Sequence, residues 1–152
     1  MLFAFIVTVC VVNHVYACTN IIITSGASQD SSNMIAYNAD SATLYGSLYH
    51  YPAADHAAGS MREVFDWDSG RYLGQIPEVP HTFNVVGNTN EFGLVIGETT
   101  FGGISSLQSQ KAAKMDYGSL IWTTLQRAKT VINIKCFILN LEYLFIFRMQ
   151  IE

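Results

Sequence analysis

The sequence contains little charge and lacks the motifs that bind nucleotides. Only 13% of its 152 residues are charged, with 8 Lys and Arg against 12 Asp and Glu and a net charge of -4. This balance excludes a disordered acidic tail and a polybasic nucleic-acid-binding protein, and it gives no electrostatic attraction to an anionic membrane. A P-loop, a glycine-rich dinucleotide fingerprint and internal repeats are absent. We therefore expect no nucleic-acid partner.

Spacing typical of a metal site is also missing. The candidate ligands fit no usual zinc pattern, and the Pro- and Ala-rich segment around them offers few groups to orient a ligand. These candidates are His50, Asp55, His56 and His81. We expect no metal ion and no other cofactor.

The first 17 residues carry no charged side chain and are mostly apolar. The run from Leu2 to Val12 is too short to span a bilayer. Val15 and Ala17 stand at the positions that suit signal peptidase. We predict a cleaved secretory signal over residues 1–17, with a buried core strand as the alternative. The mature protein is then expected outside the cell or in a lysosome, without membrane association.

Cleavage after Ala17 would make Cys18 the first residue of the mature chain. Its thiol would then lie beside a free α-amine, whose reference pKa of about 7.7 to 8.0 suits a general base near neutral pH. One residue would supply both nucleophile and base. Two other interpretations stay open: a lipoprotein cysteine, which the bulky Tyr16 disfavours, and a disulfide with Cys136.

The segment after Cys18 predicts a β-hairpin with the cysteine at its free end. Thr19–Thr24 is rich in β-branched residues, and Asn33–Asn38 has the composition of a second strand. Asp40 closes that strand, where its carboxylate could hold the new ammonium group. A simple turn-forming aspartate is the alternative for Asp40.

Four stretches of the chain together resemble one known family. They are ACTNIIITSGASQDSSNMIAYNADS at 17–41, YHYPAADHAAGS at 49–60, GQIPEVPHTFNVVGNTNEFGLVIGETTFGG at 74–103 and MDYGSLIWTTLQRAKT at 115–130. The chain resembles the cysteine dipeptidase A family of N-terminal-nucleophile hydrolases, whose wider kin include the secernins and the penicillin V and bile-salt acylases. The likeness covers residues 18–130.

The resemblance implies a role for several residues. Cys18 would be the nucleophile, with its α-amine as base, and Asp40 matches the acidic residue near it. Tyr37 stands where many relatives have an Arg, three residues before that Asp, and is a weak candidate for substrate binding. Asn90 matches the Asn whose amide helps to bind the oxyanion in the acylase relatives, which fits a donor for charge that develops only in the tetrahedral intermediate.

The local pattern around Asn90 predicts a connection between two strands. Phe83–Asn88 and Leu94–Thr99 are β-rich runs that flank Thr89–Gly93, so Asn90 is expected in a tight turn that faces a cleft. Glu98 and Thr99 begin a loop with a glycine pair, which we interpret as a weak candidate for substrate binding.

The fold expected is α+β, the N-terminal part of a four-layer αββα sandwich with antiparallel sheets, as the resemblance implies. Apolar residues at helical spacing predict a helix over Asp116–Lys129 that serves as scaffold. Residues 131–152 form an apolar tail unlike the family, either an amphipathic anchor or, as we favour, sequence outside the natural fold such as a translated intron. Without partner strands from the missing region, we expect the 152-residue chain itself to be inactive.

The function expected is hydrolysis of dipeptides or short peptides through an acyl-enzyme on Cys18. An amidase or acylase that acts on non-peptide amides is the alternative among enzymes. A catalytically silent secreted fragment is the alternative from another class. Side-chain preference and oligomeric state do not follow from the sequence.

Overall fold

The computed structural model describes residues 18–39, 46–99 and 115–134. The predicted signal at 1–17, Asp40, Cys136 and residues 135–152 of the tail lie outside the described residues. The strands are β1 (Thr19–Ile23), β2 (Met34–Asn38), β3 (His50–Tyr51), β4 (Ala54–Asp55), β5 (Met61–Phe65), β6 (Tyr72–Pro77), β7 (His81–Thr82), β8 (Val85–Val86) and β9 (Thr89–Asn90); the helix α1 spans Tyr117–Leu125.

The predicted N-terminal hairpin is confirmed. Strands β1 and β2 pair antiparallel, with Thr19 opposite Asn38 and Ile23 opposite Met34. In the connection, the backbone N–H of Ser25 donates to Oδ1 of Asn33 over 2.8 Å. This side chain closes the turn, so the β-branched run of β1 is held at a fixed register against β2.

A second antiparallel hairpin, β5–β6, carries one of two small cores. Val64 and Ile76 are almost completely buried and pack with Met115, which lies just before α1. The pairing shifts at a bulge between Val64 and Phe65. Such a bulge bends the strand locally, and here it precedes the turn that leads to β6.

The strands predicted around Asn90 are shorter than expected. Strands β3, β8 and β9 form a three-stranded sheet, and β4 pairs with β7. Leu94–Thr99 is not a strand, since only a single bridge joins Val95 to Thr89. The strand predicted over Leu94–Thr99 was therefore wrong, although Oδ1 of Asn90 accepts the backbone N–H of Leu94 and closes the turn before it.

Helix α1 begins as predicted and ends earlier. Asp116 is its N-cap and accepts the backbone N–H of Ser119 over 2.9 Å. The helix ends at Leu125, whereas the sequence predicted Lys129. The carbonyl oxygens of Leu125, its last residue, and of Ala128, three residues further on, accept hydrogen bonds from a side chain on β9, as described below.

Helix α1 connects the two cores. Leu125 and Ala128 pack with Val85 and Leu94, while Leu120 packs against the core of the second hairpin. The described part of the chain is therefore a mixed fold of small antiparallel sheets and a helix, which confirms the α+β class. None of its helices has the length and apolar character needed to cross a membrane.

The N-terminal hairpin exposes apolar side chains on both faces of its first strand. In the described residues, β1 and β2 form a sheet of their own. Ile21 and Ile22 are 56% and 71% exposed and lie on opposite faces of β1.

Candidate functional site

Cys18 lies at the open end of the N-terminal hairpin, where Tyr37 contacts it. The hydroxyl of Tyr37 donates a hydrogen bond to the thiol sulfur of Cys18 over 3.3 Å, and both residues are half-buried. Their proximity follows from the register, since Tyr37 pairs with Asn20, two residues after the cysteine. A hydroxyl donor on sulfur favours the thiolate, the nucleophilic form of cysteine.

Asn20 connects this hairpin to the segment after Val95. Its side-chain amide donates to the backbone carbonyl oxygen of Glu98 over 2.9 Å. Asn20 is not among the site residues predicted from the sequence. The signal was nevertheless present, because residues two apart on a strand lie on the same face, so Asn20 shares the face of Cys18.

The side chain of Glu98 lies near two other acidic side chains. Burial raises the pKa of its half-buried carboxyl, and the nearby carboxylates of Asp68 and Asp116 raise the pKa further. The hydroxyl of Tyr117 donates to Asp68 over 2.9 Å. The structure thus brings Glu98 to the hairpin through its main chain, while its side chain faces like charges. Thr99 is exposed.

The pKa of Glu78 is shifted in the direction opposite to that of Glu98. Its carboxylate is almost completely buried and forms ion pairs with Arg62, at 2.5 Å, and with Arg127, at 2.9 Å. Burial alone would raise the pKa of Glu78, but the two guanidinium groups and a backbone hydrogen bond from Val79 lower the pKa overall. This network joins Arg62 on β5 and Glu78, just after β6, to Arg127, two residues beyond the end of α1.

The opposite pKa shifts of Glu98 and Glu78 predict opposite effects on stability when each charge is removed. A raised pKa means that the folded chain binds the proton of Glu98 more tightly than the unfolded chain, so stability is lost as pH rises through the folded pKa. We expect Glu98→Gln to stabilise the protein at pH 7, by less than about 1 kcal/mol because solvent screens a half-exposed charge. The gain should disappear below about pH 4, where the unfolded carboxyl is also protonated.

Glu78→Gln is the matched control. A lowered pKa means that the stabilisation by Glu78 exists above the unfolded pKa and is lost as pH falls through the folded pKa. Glu78→Gln should therefore destabilise the protein at pH 7, by about 2 kcal/mol because the arginines lose their counter-charge. Urea unfolding of both variants between pH 4 and pH 7 measures the effects. Destabilisation by Glu98→Gln at pH 7 would contradict the assigned direction.

Asn90 is buried and holds the turn after β9 against the end of α1. Its amide nitrogen donates to the carbonyl oxygens of Leu125, over 2.8 Å, and Ala128, over 2.7 Å. Its Oδ1 accepts the backbone N–H groups of Phe92 and Leu94, each over 3.1 Å. Both amide hydrogens are therefore in use. The oxyanion role of Asn90 stays a prediction, and it would require these bonds to be exchanged for a substrate.

The histidines considered as metal ligands bind other partners. His81 Nδ1 lies 2.7 Å from Oδ1 of Asp55, and His56 Nε2 lies 3.0 Å from Oγ1 of Thr82. The rings of both therefore join strand β7 to the segment around β4. No group of three or more His, Cys, Asp or Glu side chains suited to a metal ion occurs within residues 18–39, 46–99 and 115–134.

A cavity of about 360 Å³ lies apart from these residues. Its lining includes Tyr51, Trp67 and Trp122, and the rings of Tyr51 and Trp122 stack with centroids 4.6 Å apart. Cys18 and Tyr37 do not line it. The predicted site is therefore the open end of the hairpin and not this cavity.

Comparison with known proteins identifies no similar protein. No family model, no curated protein and no solved structure significantly matches the chain.

Proposed function

We propose that the protein is a secreted or lysosomal cysteine-type dipeptidase whose nucleophile is Cys18. The observation that carries the proposal is the hydrogen bond from the Tyr37 hydroxyl to the Cys18 sulfur at the open end of the hairpin. It gives a half-buried thiol a donor that favours the thiolate, at the residue that signal cleavage would expose. The sequence resemblance supplies the substrate class.

The proposed reaction uses the α-amine of Cys18 as base. The amine takes the thiol proton, and the thiolate attacks the carbonyl carbon of the scissile peptide bond. As the tetrahedral intermediate collapses, the C–N bond breaks and the α-ammonium returns the proton to the leaving amine. The second amino acid departs, and the first remains as a thioester on sulfur.

Water completes the proposed cycle. The α-amine takes a proton from water, and the hydroxide attacks the thioester carbon. The C–S bond then breaks, and the sulfur recovers its proton from the ammonium. The first amino acid leaves with a new carboxylate. Asp40 would hold the ammonium group in this scheme, and Glu98 and Thr99 would border the substrate.

The fold proposed for this function is the four-layer αββα sandwich of N-terminal-nucleophile hydrolases. The confirmed antiparallel hairpin with Cys18 at its end supports it. The exposed apolar side chains on both faces of β1 also support it, since layers above and below would cover them.

The mature N-terminus tests the proposal directly. We expect the protein expressed from its gene in a secreting host to begin at Cys18 when the purified product is sequenced. The reason is the apolar run and the Val15 and Ala17 pair before the cysteine. A product that begins at Met1 or at another residue would lack the α-amine base and contradict the mechanism.

Activity separates the enzyme classes. In a version completed by the partner strands, dipeptide hydrolysis should be measurable at about 1 per second or faster, whereas the 152-residue chain itself should be inactive. A panel of acyl amides, assayed in parallel, should give slower turnover. Faster turnover of the acyl amides would favour an acylase, and no turnover of either would favour a silent binding protein.

A further inference from the structure

We propose that the side-chain amide of Asn20 is the oxyanion donor of this site, an inference that rests on the proposed function. Asn20 follows Cys18 by two residues on the same face of β1, which separates their Cα atoms by about 6.6 Å. The oxyanion of an intermediate bound to Cys18 would form close to the sulfur, within reach of a neighbouring asparagine side chain. The thiol, the Tyr37 hydroxyl and the Asn20 amide therefore share one face.

The amide of Asn20 is already oriented. A carboxamide nitrogen has two N–H donors, and one of them is held by the carbonyl oxygen of Glu98 at 2.9 Å. Within the described residues, the carbonyl oxygen of Glu98 is the acceptor for the amide of Asn20. The second N–H group of Asn20 can therefore donate to a ligand. A donor fixed before the reaction stabilises developing charge without the energetic cost of reorientation.

Gly97 favours this anchoring. A Cβ atom at position 97 would lie 2.7 Å from Cδ1 of Ile35 and 3.7 Å from Oδ1 of Asn20. A side chain at residue 97 would therefore require the terminal methyl group of Ile35 to move, whereas glycine lets the chain approach the hairpin closely without that change. The contact of Gly97 and Glu98 with the hairpin holds Asn20 beside the nucleophile.

Asn20 and Asn90 differ in the donors they can offer. Both amide hydrogens of Asn90 bind carbonyl oxygens at the end of α1. Asn20 uses one hydrogen to fix its orientation and keeps the other. Release of buried hydrogen bonds at Asn90 would leave two carbonyl oxygens unsatisfied, whereas donation by Asn20 breaks no bond.

The test compares Asn20→Leu with the matched control Asn38→Leu. Leucine has a similar shape and no donor, and Asn38 lies on the opposite face of the same hairpin. Each mature protein, in a version completed by the partner strands, is assayed for dipeptide turnover, for inhibition by a dipeptidyl aldehyde and for alkylation by iodoacetamide. The aldehyde carbon binds the Cys18 sulfur and its oxygen becomes an oxyanion. Alkylation by iodoacetamide displaces iodide at a saturated carbon and forms no oxyanion.

We expect Asn20→Leu to lower kcat by about 10² to 10³ with little change in KM, and to weaken aldehyde inhibition to a similar degree. Its alkylation rate should stay within about twofold of the unsubstituted protein, because the thiol and Tyr37 are unchanged. Asn38→Leu should resemble the unsubstituted protein in all three assays. A general disturbance of the hairpin would instead lower alkylation as well.

Two results would overturn the inference. If Asn20→Leu leaves aldehyde inhibition unchanged, Asn20 is not the oxyanion donor. If alkylation and aldehyde inhibition fall equally, Asn20 has only a structural role. Failure of the proposed function itself is visible beforehand, because the unsubstituted protein would then show neither dipeptide turnover nor aldehyde inhibition. That outcome would reject both proposals together.

Discussion

Replacement of Cys18 with Ala, in a version completed by the partner strands, is expected to abolish dipeptide hydrolysis, by about 10⁴-fold or more, because the substitution removes the attacking sulfur. The fold should be unaffected. Cys18 precedes β1, is half-buried and lies outside both cores, so its truncation removes few packed atoms. The mature variant should therefore unfold at the same urea concentration as the unsubstituted protein while it lacks turnover.

Tyr37→Phe is the graded companion of this substitution. It removes the hydroxyl that donates to the Cys18 sulfur and keeps the ring. One hydrogen bond is worth about 0.5 to 1.5 kcal/mol, so turnover and iodoacetamide alkylation should both fall by about 2- to 10-fold. Initial rates of dipeptide hydrolysis and mass spectrometry of the alkylated N-terminal peptide provide the measurements.

The mechanism would be wrong if Cys18→Ala retained the turnover of the unsubstituted protein. Another nucleophile would then have to exist. Unchanged alkylation in Tyr37→Phe would show that the phenol does not influence the thiol, although Cys18 could still be the nucleophile. The two substitutions thus test the nucleophile and its activation separately.

Local sequence signals predicted the parts of the fold that local interactions determine. The β-branched run of β1 and the polar turn before Met34 specify a hairpin from residues close in sequence. Asp116 likewise marks the start of α1, because an aspartate three residues before Ser119 can cap it through a single hydrogen bond.

Distant hydrogen bonds accompany the early end of α1. The side chain of Asn90 donates to the carbonyl oxygens of Leu125, the last residue of the helix, and Ala128, which lie 35 and 38 residues away. Residue propensity identifies asparagine as a turn former and contains no information about such distant partners. The helix was therefore predicted to extend too far.

The candidate site shows the same division. The pairing of Tyr37 with the strand that follows Cys18 could be predicted from the hairpin alone. The contact between Asn20 and Glu98 spans 78 residues and depends on the close approach at Gly97, which has no local signature. Asn20 itself could have been found by the period of two along β1.

Replacement of Asn90 with Ala is expected to destabilise the protein by about 4 kcal/mol or more. The substitution removes four hydrogen bonds from a side chain that is only 5% exposed. Each buried group left without a partner costs about 1 to 3 kcal/mol. A loss of this size is a large part of the stability of a small protein, about 5 to 15 kcal/mol in total.

Asn88→Ala is the control for this change, because within the described residues the side chain of Asn88 makes a single, exposed hydrogen bond, to the carbonyl oxygen of Ile96 over 2.8 Å. It should lower the free energy of unfolding by about 1 kcal/mol or less. Urea unfolding of both variants, followed by circular dichroism, gives the comparison. An Asn90→Ala protein that unfolds like the unsubstituted protein while its kcat falls by about 10² to 10³ would identify Asn90 as the oxyanion donor. Asn20 would then lose that role, because the Asn90 amide would have to reach the substrate without its bonds to Leu125 and Ala128.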